Sequence, residues 1–279
     1  MSRKSFNFPN AMLALGLAFL YLPMFILVIY SFNASKLVTV WAGFSTKWYS
    51  ELFRDSQLID AVFTSLQIAV SASTAAVILG TMAAYVLNRF GRFRGRTLFS
   101  SMITAPLVMP DVIIGLSMLL MFVALSSNIG WPQDRGMLTI WMAHVTFCTA
   151  YTTVVISSRL REMDGSIEEA AMDLGASPLK TFFIITLPTI APSLVSAWLL
   201  SFTLSLDDLV ISSFVAGPGS TTLPMVVFSS VRLGVSPKVN ALATLIILCV
   251  SLAAFIAWWL TRRADRNKRA AYQMMGRDQ

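Results

Sequence analysis

The chain has 279 residues, 56% of them hydrophobic and only 13% charged, where a soluble domain carries about 25% charged residues. Lys and Arg number 21 against 14 Asp and Glu, a formal charge of +7. This balance excludes disorder and an ordinary water-soluble enzyme, and charges so sparse cannot coat a phosphate-binding face, so no nucleic-acid partner is expected. Two cysteines and one histidine exclude a disulfide framework and a His/Cys metal centre. An all-α polytopic membrane protein remains.

A crossing helix needs about 20 mostly apolar residues to span roughly 30 Å of hydrocarbon. Six segments qualify. The first, 11–32, follows Arg3 and Lys4; its apolar run is too long for a signal peptide and no small-residue cleavage site follows. Residues 33–60 form an outer loop with Trp41, Trp48 and Tyr49, and the second span covers 61–87. A tight basic turn, 88–97, leads into the third span, 98–125, which contains Pro106 and Pro110. A short outer loop, 126–136, precedes the fourth span, 137–158. The loop 159–188 then leads to the fifth span, 189–214, and a Gly-, Pro- and Ser-rich loop, 215–239, to the sixth, 240–260. A basic tail, 261–279, ends the chain. Fifteen of the 21 Lys and Arg fall on the side of Arg3, Lys4, the 88–97 turn, the 159–188 loop and the tail. The excess places that side, with both termini, in the cytoplasm. The tail adds attraction to anionic membrane lipids. No internal repeat is visible, so residues 1–279 form one membrane domain.

Within 159–188, Ser166 and Glu169 have capping-box spacing. Ile167, Ala170, Ala171 and Leu174 recur at helical spacing as a narrow apolar stripe. Gly175 sits where a left-handed helix stop needs a residue without Cβ, and Ser177-Pro178 restarts a helix as N-cap and first residue. The pattern predicts two short helices at a sharp turn, forming an apolar and acidic knob. A stripe of this kind calls for a covering partner, with an ordinary connector as the alternative. No G-x-x-x-x-G-K-[ST] occurs, so the chain has no P-loop for nucleotide phosphates.

Three carboxylates lie inside spans: Asp111, Asp207 and Asp208. Each costs about 2.5–3.5 kcal/mol at mid-membrane, so a cavity, a partner or a substrate path is expected to receive it. Counted along continuous helices from the cytoplasmic ends, Asp111 and Asp207 lie at depths of roughly 20 and 27 Å. Asp207 and Asp208 point about 100° apart, so one aims at a central path while the other caps a helix break or pairs with a neighbour. Acids at similar depth on two spans can receive the two ammonium groups of a diamine. Ser205 joins them as a path candidate, and Trp41 and Trp48 as cation–π contacts. Pairing with another subunit or with Ser and Thr neighbours is the alternative. His144 reads as a neutral imidazole bonded to a neighbouring helix, with a proton relay as the other reading. Cys148 and Cys249 read as small packing residues. No Lys or Arg falls within the spans, which disfavours an anion path. No G-x-G-D occurs, and adjacent acids suit an opposed aspartyl dyad poorly, so an intramembrane aspartyl enzyme is the remote alternative. No catalytic residue and no metal ligand is assigned.

The pattern Glu169-Ala170-Ala171, three residues, Gly175, nine residues, Ile185-x-Leu187-Pro188 resembles the EAA loop of ABC-importer permeases. SKLVTVWAGFSTKWYSELFRD, APLVMPDVIIGLS, RGMLTIWMAHVTFCTAY and LSLDDLVISSFVAGPGSTTLPM extend the similarity over about residues 20–260, toward second permease subunits of putrescine and other polyamine importers. The resemblance implies a type I importer (MetI-like) transmembrane domain in the bacterial inner membrane. It also implies a sister permease, two copies of an ATP-binding subunit and a periplasmic polyamine-binding protein. Glu168, Glu169, Ala170, Ala171, Asp173 and Gly175 would then form a coupling helix seated in the ATPase. This chain would bind no cofactor, ATP and Mg belonging to the ATPase subunits. An importer of the same build for another small solute is the alternative.

Overall fold

The computed structural model describes residues 8–37, 40–233 and 236–275. Arg3, Lys4 and Arg277, used above for orientation, lie outside the described residues, as do the side chains from Arg263 onward. The helices are α1 (Phe8–Tyr30), α2 (Lys47–Phe53), α3 (Ser56–Arg89), α4 (Arg96–Val108), α5 (Asp111–Ile129) and α6 (Met137–Glu162). They continue with α7 (Ser166–Asp173), α8 (Pro178–Thr181), α9 (Leu187–Asp207), α10 (Val210–Val215), α11 (Leu223–Leu233) and α12 (Pro237–Met275). A π-helical turn, Phe182–Thr186, joins α8 to α9. It precedes Pro188, which lacks an N–H and crowds the carbonyl of Ile184, so the widened turn lets the helix continue. No strand occurs among the described residues, only an isolated bridge between Asn33 and Phe44.

Among the described residues, five segments are long and apolar enough to cross a membrane: Phe8–Tyr30, Ser56–Arg89, Asp111–Ile129, Met137–Glu162 and Pro178–Asp207. Shorter apolar stretches are Leu223–Arg232 and Pro237–Leu252, the latter opening α12, which occupies the place of the sixth expected span. Two expected continuous spans are broken. The third divides into α4 and α5, with Met109 at φ −80°, ψ 138° and Pro110 at φ −60°, ψ 140°. Proline disfavours helical geometry at the residue before it and supplies no amide of its own. The fifth stops at Asp208, φ −65°, ψ 120°, and restarts as α10. The depths counted along unbroken helices are therefore replaced by two positions at helix ends. The Gly- and Ser-rich loop after the fifth span contains a helix, α11.

The chain divides into two units. One comprises the N-terminal residues to Ser56 and the C-terminal residues from Ser230. Here α12 packs on α1 and α2, and Lys238 Nζ meets Asp55 Oδ2 at 3.0 Å. The loop before α2 is organised by Asn33, whose Oδ1 accepts from Ser35 N at 3.1 Å and Ala42 N at 2.9 Å while its Nδ2 donates to Val40 O at 2.7 Å. α1 buries none of its residues, leaving an apolar helix for lipid or a second chain to cover.

The other unit, Gln57–Ser229, is built around α6, which packs on α4, α9 and α10. Its long neighbour α3 presents small residues, Ala72, Ala76, Gly80 and Ala84, all buried. Close backbone approach follows from that choice. Thr152 Oγ1 of α6 donates to Ala76 O at 2.8 Å, and a Cβ on Gly80 would collide with the same hydroxyl. Ile68, Ile114, Phe122, Ile140, Phe147, Ile211 and Val215 form one apolar core, and Ala84, Ile156, Leu160, Ile190 and Ala197 belong to a second.

Candidate functional site

Asp208 makes the break between α9 and α10. Its Oδ1 accepts from Ile211 N at 3.1 Å, and its Oδ2 from Ser212 N and Ser212 Oγ, each at 2.7 Å. The carboxylate thereby satisfies amides that a new helix start leaves without intrahelical partners. His144 Nε2 lies 3.1 Å from the same Oδ2 and 3.0 Å from Ser212 Oγ, and its Nδ1 lies 2.7 Å from Ser205 Oγ. A proton on Nε2 fits this set: Nε2–H donates to Asp208 and Nδ1 accepts from the Ser205 hydroxyl, an assignment made from the network. The single histidine thus ties α6 to both sides of the break. Ser205, His144 and Asp208 are connected in the order of a nucleophile, base and acid, yet Ser205 is 5% exposed and His144 1%. No substrate carbonyl reaches a hydroxyl so enclosed, and the group acts as a latch.

Asp208 and Ser205, expected on a substrate path, are therefore committed inside the fold, because the break needs an acceptor and the buried imidazole needs partners. Asp207 differs. Its side chain is exposed and enters none of the ion pairs found among the described residues. Asp111 is exposed as well and is the first residue of α5, where the positive end of the helix dipole stabilises a carboxylate. One turn on, Gly115 packs against α10: a Cβ there would sit 3.2 Å from Ile211 Cα and 2.7 Å from the Phe214 ring. The starts of α5 and α10 therefore run side by side, and the two breaks fall in one region of the unit.

The tryptophans belong to the other unit. Trp48 is buried, its Nε1 donating to Asn33 O at 2.7 Å and Lys47 Nζ lying 4.5 Å from its ring centroid. It is a structural residue of the loop, which corrects its assignment to a substrate path. Trp41 is about half exposed and meets Tyr30 edge-on, centroids 6.1 Å apart.

The 159–188 loop folds as two short helices. Gly175, φ +88°, ends α7, with Gly175 N donating to Met172 O at 2.9 Å and Ala176 N to Ala171 O at 3.0 Å, the two bonds of a Schellman stop. Ser177 Oγ accepts from Lys180 N at the start of α8. The expected Ser166–Glu169 capping box does not form. Ser166 already lies within α7, and its amide donates to Asp164 Oδ1 at 3.0 Å. The amide and hydroxyl of Ser166 hold the Asp164 carboxyl below the usual carboxylate range.

Glu168 and Glu169 point in different directions. Glu168 is 7% exposed; its Oε2 meets Arg89 Nε at 2.7 Å and its Oε1 accepts from Thr186 Oγ1 at 2.6 Å. It clamps α7 onto the end of α3 and the π-turn, so its expected place on a partner-facing surface is corrected. Glu169, Ala170 and Asp173 are exposed, Ala171 is half-buried, and Ile167, Leu174 and Leu179 present a bare apolar edge beside them. Arg89 and Thr186 were not singled out from sequence. Their signal was weak, a last-turn arginine and a threonine beside a Leu-Pro pair.

The family model for binding-protein-dependent transport system inner membrane components matches residues 76–270. The chain is 71% identical over 256 residues to the putrescine transport system permease protein PotI of Escherichia coli strain K12, covering 92% of this chain and 91% of that protein. It is 43% identical over 267 residues to the spermidine/putrescine transport system permease protein PotC of Haemophilus influenzae, covering 96% of this chain and all of that one. Among solved structures, a bacterial ABC transporter involved in import of the acidic polysaccharide alginate superposes with a TM-score of 0.70 at 17% identity, covering 94% of this chain and 98% of that one. The alginate transporter in complex with its pentasaccharide-bound periplasmic protein gives 0.67 at 14% identity, covering 88% of each. At these identities the structures speak for the fold alone.

Proposed function

The chain belongs to the family of binding-protein-dependent transport system inner membrane components, and from this premise we propose that it forms half of the translocation path of an ATP-driven polyamine importer. The observation that carries the reading is the pair of exposed carboxylates, Asp111 and Asp207, at breaks brought together by Gly115, while Asp208 beside them is already used. A diamine offers two ammonium groups, each able to make charge-assisted bonds to one carboxylate. The names of the relatives point to the same cargo, putrescine or spermidine.

The partners proposed are a sister permease closing the path, a periplasmic binding protein delivering the polyamine, and two ATPase subunits holding ATP and Mg. The exposed edge of α7, with Glu169, Ala170 and Asp173, is the surface offered to an ATPase, and Glu168 transmits its displacement to α3 and α9. ATPase closure and opening then rock the two permeases so that the acid-lined region faces outward and inward in turn, with no covalent chemistry on this chain. The test is uptake of labelled putrescine and spermidine by the reconstituted complex. Asp111→Asn and Asp207→Asn should each lower apparent affinity about 10-fold or more, the value of one charge-assisted bond. Wild-type uptake in both variants overturns the reading.

A further inference from the structure

Beside α7 lies a cavity of about 860 Å³, walled by the last turns of α3, by α7 and by the segment from Pro178 to Phe183, a size at which small molecules are bound. Its charged lining residues are Arg89, Glu168 and Glu169. Arg89 and Glu168 are paired with each other at 2.7 Å, so the charge left over is negative, that of the exposed Glu169. Glu169 enters none of the ion pairs found among the described residues. Asn88 adds a neutral acceptor to the lining. Its Nδ2 donates to Ala84 O at 2.6 Å, which fixes the amide, and lies 3.1 Å from Ser157 Oγ, so Oδ1 is the end left for a ligand. Four aromatic rings belong to the same wall. Tyr85 meets Phe90 and Phe182 edge to face, centroids 6.2 and 4.9 Å apart, and Phe182 meets Phe183 in the same way at 5.2 Å. Met82, Phe90, Leu179 and Phe183 are exposed along it. Ring faces, aliphatic carbon and acceptor oxygens, with the one cation of the lining already paired, suit an ammonium ion that carries methylene groups and disfavour an anion.

We propose that this cavity binds an aliphatic diammonium ion, one ammonium on Glu169, the other on Asn88 Oδ1 and the neighbouring ring faces, and its methylenes along Met82, Phe90 and Phe183. Glu169 also belongs to the edge of α7 offered above to an ATPase. In the proposed importer, whose delivered product is of this chemical class, an occupied cavity holds Glu169 back from that contact. This consequence, unlike the site itself, rests on the transport reading.

The test is photo-labelling of the full chain in phosphatidylcholine nanodiscs with a diazirine-bearing 1,4-diaminobutane, mapped by mass spectrometry. It is run on the natural sequence and on Asp111→Asn/Asp207→Asn, which removes the acids of the proposed path. Adducts are expected on residues 82–90 and 165–183 of both chains. Added to the double variant, Glu169→Gln, which loses one charge-assisted bond, should lower that yield about 10-fold. Met82→Trp, which fills the groove from an exposed position, should lower it as far. Free 1,4-diaminobutane should compete for the site, and 1,4-butanediol, of equal length without charge, should not. Equal competition by the diol, or unchanged yield in both added variants, overturns the proposal. Adducts confined to the segments around residues 111 and 207 overturn it too and leave the transport reading standing. Adducts on 82–90 and 165–183, with normal uptake in Asp111→Asn and Asp207→Asn, uphold the site and remove the transport reading.

Discussion

Removing the Glu168 carboxylate tests how force reaches the membrane helices from α7. Glu168 is 7% exposed and bonded at 2.7 Å to Arg89 and at 2.6 Å to Thr186. Breaking a buried ion pair from one side costs about 3–5 kcal/mol. The Arg89 side chain is 20% exposed, so water recovers part of its charge, and about 2–3 kcal/mol is expected for Glu168→Ala. Glu168→Gln still accepts from Thr186 and loses only the charge, about 1–2 kcal/mol. At 1.4 kcal/mol per factor of ten, the alanine variant opens α7 roughly 30- to 150-fold more often. Hydrogen exchange at the amides of Glu169–Asp173 should accelerate by that factor, with the glutamine variant between and the core of α6 unchanged. A double-mutant cycle with Arg89→Gln should show an interaction of about 1 kcal/mol or more. In the reconstituted complex, ATP hydrolysis stimulated by the binding protein should fall while basal hydrolysis persists. Unchanged exchange in Glu168→Ala, or strictly additive losses in the cycle, refutes the clamp and leaves α7 held by apolar contacts alone.

Asp208→Ala removes the acceptor used by Ile211, Ser212 and His144 and should lower thermal stability by about 3 kcal/mol, whereas Asp207→Ala should leave the melting curve unchanged. Equal melting of the two would mean that the latch does not hold the break. Gly115→Ala places a methyl against Phe214 and Ile211 and should cost about 1–3 kcal/mol, read as a lower Tm and slower uptake; an unchanged Tm would mean that α5 does not run against α10. Asp164 has a folded pKa below its unfolded one, so its hold on the start of α7 is complete above the ordinary carboxylate range and is lost as pH falls through the lowered value. Exchange at Ser166 and Ile167, corrected for intrinsic rates, should therefore be flat across neutral pH and rise in strong acid, and Asp164→Ala should show the raised rate throughout.

The apolar helical character of the chain was legible because hydropathy acts residue by residue along a run as long as a bilayer is thick. The stop of α7 was legible for the same reason, since only Gly175 suits its left-handed turn. The break at Pro110 was present in the sequence, but counting depth along an unbroken helix hid what it does to Asp111. The break at Asp208 carries no Gly or Pro. It exists because one carboxylate reaches forward to Ile211 and Ser212 and across to His144, 64 residues away in the chain, a relation that no local pattern encodes. Glu168 and Glu169 look interchangeable in a loop motif. On a helix they face about 100° apart, and Arg89, at the end of a different helix, decides which one turns inward. The capping box failed through competition, Asp164 taking the Ser166 amide first.

The same geometry bears on the sign of the cargo. Helices starting side by side present two positive ends, each worth about half a charge, an arrangement that by itself invites an anion. Here each end is already answered: Asp208 accepts the first free amides of α10, and Asp111 stands in the first turn of α5. Asp207 is placed oppositely. It is the last residue of α9, where the dipole is negative, so its carboxylate adds to the local negative potential and gains nothing from the helix. A carboxylate so placed, exposed and without an ion pair among the described residues, is stabilised chiefly by a cation that comes to it. A neutral sugar would leave that charge uncompensated, and an anion would meet repulsion where the positive ends have been neutralised. The order of the two acids therefore matters. In the proposed importer, the one that closes the helix start leaves the one at the helix end to meet an ammonium group.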